Sequence, residues 1–183
     1  MADTGRAAGS RRSVGMRALA AAAALMAVTS LSTGCSSGKE LAYQPRRMDP
    51  DPAREKSRET AQRLLGLTGV KGTVSDTGVD VSRCAEYGKD LFSTSHPWTV
   101  SGLTDADVDA GLAHLRTALP EHGWKVDGGG AQGPQVRAAH RADGYDLTVT
   151  GAKSAGQGKA ALTFSVVSAC YRATSQKSLD GPF

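Results

Sequence analysis

The chain has 183 residues, with 22 lysine and arginine against 18 aspartate and glutamate side chains, a formal charge of +4, and few aromatic residues. The excess charge sits at the N-terminus: residues 1–34 carry four arginines and one aspartate, so 18 basic and 17 acidic side chains remain beyond them. That near balance argues against a nucleic-acid-binding domain, because phosphate contacts dominate such affinities and need a strongly basic face.

Arg6, Arg11, Arg12 and Arg17 precede an uncharged stretch, residues 18–31. A basic segment followed by a short apolar one has the order of a secretory signal. Its fourteen residues fall short of the about 20 that a membrane-spanning helix needs. Small residues then lead to a cysteine, in the run Leu31-Ser32-Thr33-Gly34-Cys35. This resembles the lipoprotein signal of bacteria, with the usual leucine one position early and Ser32 in its place. The resemblance implies that residues 1–34 are a signal peptide. It also implies that Cys35 carries diacylglyceryl lipid and that the chain is anchored on the extracytoplasmic face of the cell membrane. Ser10-Arg11-Arg12-Ser13-Val14 is similar to a twin-arginine export signal, which leaves two export routes open.

Residues 35–50 combine serine, glycine, proline and mixed charge without an apolar period, and read as a lipid-attached flexible tether reaching roughly 20 Å. A single domain is expected over residues 51–172. Asp51 as N-cap and Pro52 at the first position start a helix over residues 52–66. Ala53, Ala61, Leu64 and Leu65 give that helix a narrow apolar stripe, which docks it by its C-terminal turn. Short strands at 70–74 and 79–84 flank a turn-rich quartet, 75–78. Cys84 falls on a bulge or on the loop after the second strand, and 85–95 read as irregular.

A strand over 96–103 places Trp98 and Val100 on one face. Thr104 then caps a helix, with Asp107 completing a capping box and Leu103 and Val108 a hydrophobic staple. Val108, Leu112, Leu115 and Leu119 form its sheet-facing stripe, and Pro120 and Gly123 end it. Trp124 and Val126 open another strand. Asp143-Gly144 signals a hairpin with a two-residue turn. In that register Ala142 faces Tyr145, His140 faces Leu147, and Arg141 pairs with Asp146 on the other face. A last strand over 160–171 points Cys170 into the core, and 173–183 form a frayed tail. The fold class expected is α+β, an antiparallel sheet of about five to six strands with two helices, the second packed on one face.

Of three cysteines, Cys84 and Cys170 remain as a pair if Cys35 carries lipid. An oxidising compartment favours their disulfide; buried thiols or a metal site are the alternatives, and ligand spacing for zinc is lacking. No metal or cofactor is expected. Gly158-Lys159 lacks the upstream glycine and the following hydroxyl of a phosphate loop. Ser36-Ser37-Gly38-Lys39 has the Ser-x-x-Lys spacing of penicillin-binding enzymes but lacks their companion motifs. Of His96, His114, His122 and His140, only His140 is expected against apolar neighbours, and no serine or cysteine has an evident base beside it. Trp98 and Trp124 pack in the core or form a partly exposed ligand platform.

The alanine-rich signal, Cys35, a helix followed by Gly123-Trp124, and a late Ser168-Ala169-Cys170-Tyr171 together resemble small lipoproteins of actinobacteria. The resemblance implies the outer face of the cytoplasmic membrane and transfers no catalytic residue. The expectation is a non-enzymatic envelope module that binds a protein or an envelope ligand. A hydrolytic enzyme acting on the cell wall, or its accessory subunit, is the alternative.

Overall fold

The computed structural model describes residues 39–127, 133–154 and 159–180; Cys35 and residues 1–34, expected to be a signal peptide, lie outside them. The first helix, α1, spans Pro50–Thr68, with Asp49 at the N-cap and Pro50 at its start. The chain repeats Asp-Pro, and the helix begins at the first pair, not at the expected Asp51. Asp49 is fixed in extended geometry from outside the helix. Its carboxylate accepts hydrogen bonds from the Thr174 N–H at 3.0 Å, the Thr174 hydroxyl at 2.6 Å and the Ser178 hydroxyl at 3.0 Å. Ala53, Ser57, Thr60, Ala61, Leu64 and Thr68 are buried along the helix, so it docks over its whole length. The stripe was hard to see because half of its members are hydroxyl residues.

The sheet has eight strands among the described residues: β1 Thr73–Asp76, β2 Asp80–Arg83, β3 Leu91–Leu103, β4 Lys125–Asp127, β5 Gln135–His140, β6 Tyr145–Ala152, β7 Ala160–Ser168 and β8 Tyr171–Arg172. Their order is β1-β3-β7-β6-β5-β4, with β2 and β8 also paired to β3, and every strand pair is antiparallel. The α+β class is as expected, with more strands than expected. β1 and β2 do not form a hairpin with each other; each pairs with the 13-residue β3. β3 starts at Leu91, earlier than its alternation suggests, because the inward Thr94 is polar. Buried hydrogen bonds satisfy it: its hydroxyl meets Ser57 Oγ at 2.8 Å, and its N–H donates to Ser168 Oγ at 2.8 Å.

The second helix, α2, spans Asp105–Glu121 behind the expected capping box of Thr104 and Asp107. Pro120 lies inside its last turn. Val108, Leu112, Leu115 and Leu119 join Leu64 of α1 and the inward residues of β3, β5, β6 and β7 in one core. Both helices therefore cover the same face of the sheet. The other face is open and rich in hydroxyls; Ser75, Thr99, Thr163, Thr150 and Gln135 stand in register across five strands.

Three expectations need correction. The hairpin register is shifted by two residues: His140 pairs with Tyr145 and Ala138 with Leu147, Asp146 faces Ala139, and the turn holds four residues, 141–144. A shift of two preserves which side chains face the core, so the apolar pattern could not distinguish the registers. The last strand breaks after Ser168: the Ala169 N–H still bonds the Gly144 carbonyl, but the Gly144 N–H turns back to His140 and the chain resumes as β8 beside Leu91 and Phe92. Cys170 therefore sits at a half-buried break and not on the core face. It is disulfide-bonded to Cys84, on the loop after β2, with Cα atoms 6.4 Å apart.

The third correction concerns the ends. Residues 39–49, expected to be a free tether, lie along the domain. The Lys39 N–H donates to Glu86, the Arg172 N–H to Arg46 and the Met48 N–H to Arg172, and Arg47 bridges Arg172 in parallel. The expected tail instead forms a 3-10 turn, Gln176–Leu179. Its Leu179 packs with Ala53, Phe92 and Tyr171 in a second cluster. Paired backbone groups and one buried leucine hold both segments, neither of which shows an apolar period. The folded unit thus extends past residues 51–172 at both ends.

Candidate functional site

The turn between β5 and β6 carries the densest grouping of ionisable and aromatic side chains. His140 ends β5, and the Gly144 N–H returns to its carbonyl at 2.8 Å, which closes the turn. The His140 Nδ1 accepts the Asp143 N–H at 3.0 Å and lies 3.5 Å from the Asp143 carboxylate. Nε2 therefore carries the proton of the neutral ring. The other side of the ring meets Trp124 edge-on, with centroids 5.2 Å apart. Gly123, at φ +80°, brings its backbone against Nε2; a Cβ there would stand 2.9 Å from it.

Asp143 is held by cations from two other elements. Lys56 of α1 reaches it at 3.1 Å and Arg46 of the N-terminal segment at 3.9 Å. Burial works against the carboxylate's charge, but the hydrogen bond and charge of the Lys56 ammonium, with Arg46, outweigh it and hold the group below the ordinary carboxylate pKa. The Lys56 ammonium also lies 5.8 Å from the centre of the Tyr145 ring. Beneath it the Tyr145 hydroxyl meets Ser57 Oγ at 3.2 Å and receives a hydrogen bond from Tyr171 at 3.4 Å. Burial, then the contact with Tyr145, pushes the Tyr171 phenol far above its ordinary pKa, so it remains a neutral donor.

Two clefts open on either side of this turn. One, of about 400 Å³, lies between the turn, the residue 169–171 segment and the N-terminal stretch at Tyr43 and Arg46. The other, of about 380 Å³, lies between the turn, the C-terminal half of α1 and Trp124. Both are within the usual size range of small-ligand sites, and His140, Asp143 and Tyr145 border both. No family model, curated protein or solved structure matches this chain. The chemistry of the clefts therefore has to be read from their own groups.

Among the described residues, neither His140 nor His96 hydrogen-bonds a serine, threonine or cysteine side chain. Among the same residues no three His, Cys, Asp or Glu side chains group to hold a metal ion. What the clefts offer is fixed donors, acceptors and aromatic surface.

The two tryptophans separate. Trp98 is 4% exposed and stacks on Phe164 at 4.7 Å; as an exposed ligand platform it is corrected to a core residue. Trp124 is also buried, yet its edge borders the second cleft. Cys84 and Cys170 are bridged, and Cys35 lies outside the described residues.

His96 was overlooked. It is 3% exposed, and its Nε2 lies 2.9 Å from Asp76. The Gly78 N–H, and then His96, hold that carboxylate below its ordinary pKa, against the cost of burial. The signal was present: His96 shares the strand parity of Trp98 and Val100, so alternation alone puts it inside. Its Nδ1 and the Trp98 Nε1 lack hydrogen-bond partners among the described residues, beside a small cavity of about 110 Å³.

Proposed function

We propose that this chain is an exported lipoprotein, anchored through lipid on Cys35 to the extracytoplasmic face of the membrane, whose folded domain binds an envelope ligand. The observation that carries the binding reading is the pair of clefts around His140 and Asp143. There, charged groups are paired and geometrically fixed, with His140 Nδ1 held by the Asp143 N–H and Asp143 held by Lys56. Preorganised polar groups on rigid elements suit recognition of a ligand. Two further observations support the location. The run Leu31 to Cys35 has lipobox character, and a disulfide between Cys84 and Cys170 suits an oxidising compartment. Among the described residues no helix is long and apolar enough to cross a membrane; the attachment proposed is lipid. Two acyl chains make such anchoring stable.

The test is intact-mass analysis of the processed protein. The expected N-terminus is Cys35 bearing diacylglycerol, and Cys35→Ala is expected to leave the precursor unprocessed or release the domain. A wild-type protein with an unmodified N-terminus rejects the anchored reading.

A further inference from the structure

We propose that the cleft between the β5–β6 turn and the Tyr43–Arg46 stretch is a binding site for a neutral saccharide. This rests on the binding-module reading and names its ligand class. The cleft has three kinds of wall.

The first wall is aromatic and fixed. The chain has four tyrosines, and three of them, Tyr43, Tyr145 and Tyr171, border this one cleft. Tyr145 and Tyr171 are buried beneath it, whereas Tyr43 is 43% exposed. Its hydroxyl accepts the Cys170 N–H at 2.7 Å, so the ring is pinned while still presented to solvent. An exposed aromatic residue held in one orientation is a stacking surface with little entropy left to lose.

The second wall is charged but saturated. Asp143 is paired with Lys56 and Arg46, and Arg46 also donates to the Ala142 carbonyl. Among the residues that line the cleft, Arg46 and Arg141 balance Asp143 and Asp146.

The third wall is polar and free. Arg141, Asp146 and Gln44 border the cleft, and among the described residues none of their side chains has a hydrogen-bond or ion-pair partner. One is cationic, one anionic and one neutral. A ligand of single charge would be attracted by one of the first two and repelled by the other. A ligand that both donates and accepts hydrogen bonds along its edges, and has an apolar C–H face for a ring, satisfies all three groups and Tyr43 together. A pyranose unit has that chemistry: hydroxyls at its rim match planar carboxylate, guanidinium and amide groups, and its C–H face lies on an aromatic ring. The volume of about 400 Å³ suits one to three such units.

The experiment uses the processed lipoprotein in dodecylphosphocholine micelles, since a maltoside detergent would itself be a ligand. Calorimetric titration with triacetylchitotriose and maltotriose is compared with cationic deacetylated chitotriose and anionic trigalacturonate. The expected result is saturable binding of at least one neutral sugar, tighter than both charged ones. Tyr43→Ala is expected to weaken it about tenfold or more and Tyr43→Phe to weaken it less, because the ring meets the sugar while the hydroxyl only orients the ring. Asp146→Asn and Arg141→Ala are each expected to weaken it several-fold without altering the melting temperature, since both side chains are exposed.

Doping the micelles with digalactosyl diacylglycerol distinguishes the source. A fall in apparent affinity identifies a glycolipid headgroup, and no change identifies a free glycan. Preference for a charged sugar, absence of binding by both neutral ones, or indifference to Tyr43→Ala overturns the proposal. Each of those results leaves the anchored reading intact when Cys35 carries lipid; conversely, Tyr43-dependent binding by an unlipidated protein upholds the saccharide site and rejects the anchor.

Discussion

Single residues around the turn act mostly through close approach. Gly123 combines a left-handed backbone with contact to the His140 ring. Gly123→Ala meets both obstacles, and the backbone alone costs roughly 1–2 kcal/mol. Urea denaturation is expected to show a loss of at least that size, with the His140 ring displaced in NMR spectra. An unchanged midpoint would mean that the turn relaxes freely. At this scale the sequence was half legible. It marked His140 as inward-facing, and it is, but its partner Asp143 was invisible because a two-residue turn sends that carboxylate elsewhere. Tyr43 carried no signal at all. It lies in a segment without apolar periodicity, and only the backbone of Cys170, 127 residues away, gives it a place.

Among the elements, α2 was read almost residue for residue, because its determinants are local: a capping box, a staple and a stripe of four apolar residues. Thr104→Ala removes the side-chain acceptor of the Asp107 N–H and is expected to cost about 1 kcal/mol, with Thr104→Ser close to neutral. Matched denaturation curves measure both; equal losses in the two variants would show that the hydroxyl is not the stabilising group. The elements misread were those defined by distant partners. β1 and β2 look like a hairpin but pair with β3, and β3 hides its first five residues behind a buried threonine that Ser57 and Ser168 satisfy. Strand parity survives a register shift of two and says nothing about which strand is the neighbour.

For the whole molecule, the pairing of Cys84 with Cys170 was accessible from counting cysteines and from the compartment, although the reason given for Cys170, a core-facing strand end, was not the one the structure shows. The bridge closes 86 residues and ties the loop after β2 to the break between β7 and β8. The chain-entropy model gives about 4–5 kcal/mol for a loop of that length. Replacing both cysteines by alanine is expected to lower the melting temperature by roughly 10 °C or more. A shift of only a degree or two in calorimetry would show that the surrounding sheet pairing already imposes the same constraint. The saccharide cleft would suffer with it, because Cys170 supplies the N–H that orients Tyr43.

The joining of the two chain ends has a mechanical consequence. Residues 46–48 run beside Arg172 through two backbone hydrogen bonds and a parallel bridge, and Asp49 takes three hydrogen bonds from Thr174 and Ser178. Tension drawn through an anchor at Cys35 would reach this seam before it reached α1 or the sheet. Load on the leash would therefore be borne first by contacts that also set Arg46 and Tyr43 in the cleft wall.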